Sequence, residues 1–179
     1  VPLNSSDENI GHRMGQVLNA CRELNPDFLQ TEKGQILVNK LEFPNDWGLG
    51  SSSTLLYNLS QWAQVDPFRL SALTFGGSGY DLACAGAEHP LFYQKKSPSP
   101  LIKTIDFQPA FRDNLFFVHL NKKQNSRDGI QAYRKKGLPS KALINDISTL
   151  SEAMAKANHL TGFMECMTTH ENMVADHID

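Results

Sequence analysis

The segment Pro44-Asn45-Asp46-Trp47-Gly48-Leu49-Gly50-Ser51-Ser52-Ser53-Thr54 constrains this chain more than any other. Gly48 and Gly50 open backbone conformations that a Cβ disfavours. Three serines and a threonine follow, then an apolar, helix-compatible run from Leu55 to Ala63. Ahead of the loop, Gln35 to Phe43 reads as a strand that Pro44 ends. The expected passage is strand, loop and helix, the helix spanning about residues 52–63. The first N–H groups of such a helix lack partners, and with hydroxyls beside them they can hold an anion. A plain strand-to-helix connection accounts for the same composition. The segment is not the phosphate loop Gly-x4-Gly-Lys-[Ser/Thr], because no lysine follows, and it lacks the Gly-x-Gly-x-x-Gly spacing of dinucleotide-binding folds.

The chain has 179 residues, enough for one domain of ordinary size with a real core. Hydrophobic residues are 40% and charged residues 20%, a globular composition. A net charge of −2 and a pI near 6.3 give no reason to expect nucleic acid or an anionic membrane as partner. No apolar run approaches the roughly 20 residues of a membrane span, and no signal peptide or lipidation motif is visible. Cys21, Cys84 and Cys166 are odd in number and far apart, which argues against a disulfide framework or a zinc site. They are expected as packing residues in helical or buried segments of a cytoplasmic protein. No histidine pair has metal-ligand spacing; His170-Glu171 lacks the second histidine of a His-Glu-x-x-His site. The first residue is not Met, and the last, His177-Ile178-Asp179, fall within a helical pattern without a cap. Both ends read as cuts, so an internal piece of a longer protein is expected.

Apolar spacing at Ile10, Met14, Val17, Leu18, Cys21 and Leu24 predicts a helix over 7–24 with Asp7 as N-cap. Asp66-Pro67 starts a short helix that runs to about Leu73. Leu82-Ala83-Cys84-Ala85-Gly86-Ala87 reads as a strand or tight buried backbone. Residues 90–94 and 101–107 read as two strands, and Asn114 to Leu120, with His119 inside it, as the strongest strand of all. Residues 127–135, 140–157 and 160–177 have helical spacing.

Phe75-Gly76-Gly77-Ser78-Gly79-Tyr80-Asp81 forms a second glycine-rich turn. An aspartate entering a small, apolar stretch is costly unless it is paired or has chemistry to perform. Asp81 is either a turn residue that caps local N–H groups or a general base that takes a proton from a substrate hydroxyl.

Residues 44–52 match, without a gap, the pattern Pro-x-x-x-Gly-Leu-Gly-Ser-Ser, and the chain thereby resembles the GHMP small-molecule kinases (galactokinase, homoserine kinase, mevalonate kinase, phosphomevalonate kinase). Gly77-Ser78-Gly79-Tyr80-Asp81 is similar to the Gly-Ser-Gly-x-Asp turn of the mevalonate and phosphomevalonate kinase-like members. Gly79-Tyr80-Asp81-Leu82-Ala83 and Asn121 to Arg127 resemble the bacterial GYDIA subgroup, with Leu82 in place of Ile. The resemblance implies an α+β class and a partial, two-lobed GHMP fold. Residues 1–75 would be part of the ATP-binding lobe, and 76–179 the rest of the lobe interface and the start of the second lobe. It implies ATP and Mg²⁺ as cofactors and a small metabolite, such as mevalonate or phosphomevalonate, as acceptor. Gly48, Leu49, Gly50, Ser51, Ser52 and Ser53 would wrap the ATP phosphates, with Ser52 placed to touch Mg²⁺. Asp81 would be catalytic, and Gly77, Ser78 and Gly79 would shape the acceptor pocket. Three departures go with it. Leu70 stands eleven positions before Asp81, where many mevalonate kinases carry an acidic metal ligand. The family's first and third motifs are absent, so this piece alone is expected to be weakly active or inactive. A mevalonate diphosphate decarboxylase-like enzyme and a non-catalytic nucleotide-binding protein remain open. The basic residues Lys122, Lys123 and Arg127 are either a solvated loop or a contact for a phosphorylated substrate.

Overall fold

A computed structural model describes residues 4–30, 34–121, 137 and 139–178. The chain divides into two compact units, Val1–Thr104 and Ile105–Asp179. The first unit is built on α1 (Glu8–Leu24). The Asp7 carboxylate accepts the N–H groups of Asn9 and Ile10 at 2.9 and 3.0 Å, as its N-cap position predicts. Of the apolar stripe, Val17 and Cys21 are buried and Ile10 is exposed. At the far end Asn25 Nδ2 donates to the Ala63 carbonyl at 2.7 Å. That bond fastens the end of α1 to the end of α2 (Ser51–Ala63). α3 (Pro67–Leu73) starts on Asp66, whose carboxylate accepts the Arg69 N–H at 2.7 Å, with Pro67 tolerated in the first turn.

The three helices share one core with α4 (Tyr80–Ala85): Val17, Cys21, Leu56, Leu59, Ala63, Leu70 and Leu82. Leu59 and Leu70 are almost fully enclosed, and each contributes about 2 kcal/mol of apolar burial. Enclosure also pushes the Cys21 thiol up to about 11, since a thiolate there would lose its hydration. α4 packs between α2 and the hairpin of β1 (Leu91–Gln94) and β2 (Leu101–Thr104). The strands are antiparallel, with Leu91 opposite Thr104 and Gln94 opposite Leu101.

In the second unit a 3₁₀ turn, Arg112–Asn114, precedes α5 (Lys141–Lys156) and α6 (Leu160–Ile178), which pack on each other. Phe163 stacks with Phe107 and Phe111, at ring separations of 5.9 and 5.2 Å. The Ser140 hydroxyl caps α5 by accepting the Leu143 N–H. The stripe Leu143, Ile147, Leu150 and Met154 is half-buried, as one neighbouring helix allows.

The class is α+β: six α-helices and a two-stranded antiparallel sheet among the described residues. Four expectations are corrected. Residues 35–43 form no strand; Ile36 is 94% and Val38 81% exposed. Gln35 and Asn39 instead reach α2 through side chains, to Trp62 Nε1 and Asn58 Nδ2. Residues 114–120, His119 included, form no strand either, and Phe117 is fully exposed. Both runs have strand composition, but a strand exists only where a second backbone takes its N–H and C=O groups. Residues 82–85 lie in a helix, not a strand. The alanines favour helix, and Gly79 at φ 88° turns the chain into it. Cys84 is exposed on that helix rather than packed. Residues 122–136, with the basic cluster and the expected helix over 127–135, lie outside the described residues. No helix among the described residues is long and apolar enough to cross a membrane.

Candidate functional site

The two glycine-rich segments meet within the first unit. A Cβ on Gly50 would stand 3.9 Å from the Asp81 Cβ, although 31 positions separate them in sequence. The Pro44 carbonyl accepts the Trp47 N–H at 3.1 Å and begins the loop. Gly48 and Gly50 follow at φ 74° and 71°, which demand glycine. Gly50 is the N-cap of α2 and has no side chain to close it. The first helical bond runs from the Thr54 N–H to the Gly50 carbonyl, so the N–H groups of Ser51, Ser52 and Ser53 precede the ladder and stay open. The Ser51 hydroxyl donates to Asn45 Oδ1 at 3.0 Å. Ser52 is exposed, Ser53 half-buried, and Leu49 48% exposed.

Asp81 lies in the first turn of α4 and is exposed on its surface side, while Leu82 and Ala83 point into the core. Partial burial holds its carboxyl above the usual range, and a hydrogen bond from the Tyr80 hydroxyl partly offsets this. Tyr80 is itself shifted up, first by the Asp81 charge and then by burial.

The turn ahead of Asp81 is held from the hairpin. Tyr93 donates to the Ser78 carbonyl at 2.5 Å, and Lys95 Nζ donates to the Gly77 carbonyl at 2.9 Å. The Ser71 hydroxyl donates to the Gly76 carbonyl at 3.2 Å. Gly79 is sterically required, because a Cβ would come 2.8 Å from the Tyr93 hydroxyl at φ 88°. Tyr80, Tyr93 and Lys95 were not singled out from the sequence. Tyr93 lies in the expected strand 90–94 and Lys95 just beyond its end, and no local pattern ties either of them to the glycine turn.

An apolar cleft of about 450 Å³ is lined by Tyr57, Phe68, Leu82, Gly86, His89 and Ile102 among others. Asp81 does not line it. Among the described residues no group of three or more His, Cys, Asp or Glu is placed to hold a metal. Leu70 is 0% exposed, in the core, and Ser52 offers a single hydroxyl. Protein sites for Mg²⁺ ordinarily supply one or two carboxylates beside the substrate phosphates. The donors described here do not make such a site by themselves.

No protein-family model matches this chain, and no curated protein or solved structure gives a significant match to it.

Proposed function

We propose that this chain carries the phosphate loop and the general base of a GHMP-type kinase, which moves the ATP γ-phosphate to a small metabolite such as mevalonate or phosphomevalonate. The approach of Gly50 to Asp81 carries the reading. A helix start with open N–H groups suits the phosphates of ATP, through hydrogen bonds and the helix dipole. A carboxylate beside it suits the acceptor hydroxyl, whose proton it would accept or orient as the phosphoryl group arrives. Phosphoryl transfer draws mainly on positioning and charge stabilisation, so a fixed loop and one base cover much of what the chain must supply. The motif resemblance of residues 44–52 and 77–83 supports the same assignment.

Leu70 and the metal donors favour a second reading, a nucleotide-binding protein without turnover. The test is acceptor-dependent ADP release from ATP–Mg²⁺ by the reading frame that encodes this chain, expressed whole. Mevalonate, phosphomevalonate, homoserine and galactose serve as acceptors, with ATP binding measured in parallel. The expected result is one acceptor-dependent rate that falls at least about 100-fold in Asp81→Asn while ATP still binds. ATP binding without any acceptor-dependent rate would favour the second reading. Failure to bind ATP would sink both.

A further inference from the structure

We propose that Tyr93 is a positioning residue for Asp81: from the β-hairpin its hydroxyl fixes the start of α4, and so sets where the carboxylate stands beside the Gly50–Ser53 loop. The reaction assigned to Asp81 rests on the reading above; the hold that Tyr93 has on α4 does not.

α4 has only six residues, Tyr80–Ala85, and no side-chain cap at its N-terminus, so it cannot fix its own start. Its far end is held by α2, the helix that the Gly48–Ser53 loop opens. Gly86 lies so close to α2 that a Cβ there would come 2.5 Å from the Tyr57 ring. Between the two ends, Leu82 and Ala83 are buried. The near end hangs on Gly76-Gly77-Ser78-Gly79, where the three glycines adopt φ of 66°, 98° and 88°. Glycine reaches these angles readily but does not hold them, because many others are open to it. The hold must come from outside the turn. α3 supplies it at Gly76, whose N–H donates to the Ser71 carbonyl at 2.7 Å.

Tyr93 supplies it next to Asp81. Its hydroxyl donates to the Ser78 carbonyl at 2.5 Å and so fixes the Ser78–Gly79 peptide plane, from which α4 starts. The same hydroxyl would lie 2.8 Å from a Cβ on Gly79, and the Phe68 ring 3.4 Å from it, so the glycine rests against both side chains. Lys95 ties the Gly77 carbonyl at 2.9 Å, but it is exposed and lies beyond the end of β1. Tyr93 is half-buried within β1, opposite Ile102. Burial holds its hydroxyl above the usual phenol range, so it stays a donor at neutral pH. Tyr93 is therefore the stiffer of the two ties. Gly50 approaches Asp81 from α2. A shift of about 1 Å at the start of α4 would move the carboxylate off that place, and misplacement of that size can cost about 100-fold in rate.

The test is Tyr93→Phe, which keeps the ring and removes the one donor, in the protein expressed whole. kcat for acceptor-dependent ADP release should fall about tenfold, with ATP affinity within about twofold of the wild type. Asp66→Ala, which removes a helix cap elsewhere in the same unit, should leave kcat unchanged. In an Asp81→Asn background Tyr93→Phe should cost nothing further, because a residue that acts through the carboxylate has nothing left to place. A purely structural contact would lower the rate equally in both backgrounds, and that outcome overturns the proposal. Amide order parameters at Gly79 and Asp81 need no turnover. They should fall below the rigid value of about 0.85 in Tyr93→Phe and hold in Asp66→Ala. If they hold in Tyr93→Phe, the proposal is overturned whatever the rate. If they fall but the wild type shows no acceptor-dependent rate, the kinase reading fails while Tyr93 stands as the residue that places Asp81.

Discussion

α1, α3 and α5 begin on Asp7, Asp66 and Ser140, whose side-chain oxygens accept N–H groups of the first turn. α2 and α4 begin on Gly50 and Gly79, in the left-handed region, with no side-chain cap. The chain thus closes the helix starts that only need stability and leaves open those at the candidate site. A cap contributes about 1 kcal/mol, so the open ends cost stability that a capping residue would restore. What they gain is unsatisfied donors beside Asp81. The core between α1, α2, α3 and α4 absorbs that cost through Leu59, Leu70 and their neighbours.

Four substitutions would break or sharpen this contrast. Gly79→Val should do the most damage, roughly 3 kcal/mol, from a left-handed φ and from overlap with the Tyr93 hydroxyl and the Phe68 ring. Urea unfolding followed by tryptophan fluorescence measures it, because Trp47 and Trp62 both lie in the first unit. A loss under about 1 kcal/mol would mean that the glycine is incidental. Gly50→Ala should cost about 1–2 kcal/mol, almost all of it backbone, since its Cβ would meet Asp81 only at ordinary contact distance. ATP affinity should fall with it, as calorimetry would show.

Asp66→Ala should cost about 1 kcal/mol and leave ATP binding untouched; an effect on binding would blur the division between closing and opening residues. The smallest effect on stability is expected for Asp81→Asn. A carboxyl held above its usual range is favoured by folding while protonated, so its contribution is full at low pH and is lost as pH rises through the raised value. Removing that charge should therefore stabilise slightly at pH 7 and not at pH 3, as paired thermal melts would reveal. The same shift places the acid limb of any Asp81-dependent rate above the ordinary carboxylate range. Activity falls as pH drops through it, because the base must be ionised.

Much of the helical framework was legible. Asp7 and Asp66 mark helix starts by local chemistry, and the apolar spacing of 7–24, 52–63 and 140–157 mirrors the faces that pack. The hairpin was legible too, one residue shorter at its start and three at its end than expected. α4 was not, because a small apolar run of six residues fits a helix or a strand and periodicity cannot separate them. The runs 35–43 and 114–120 misled for a different reason. Val, Ile and Phe declare a surface that suits a sheet, and nothing in their order says whether a neighbouring strand is present. At the site, Gly48–Ser53 and Asp81 stood out as motifs. Tyr93 and Lys95 did not, because their partners Ser78 and Gly77 lie 15 and 18 residues away.

Local chemistry is enough for whatever is settled within about one helical turn: the caps, the apolar stripes, and the glycines that the left-handed turns require. Which apolar runs find a partner, which of Cys21 and Cys84 is buried, and the meeting of Gly50 with Asp81 follow from packing over long sequence distances. Caps and helical bonds join residues a few positions apart, so local composition encodes them. Sheet ladders, core contacts and the meeting of two glycine turns join residues tens of positions apart. Those depend on how the whole chain closes its core.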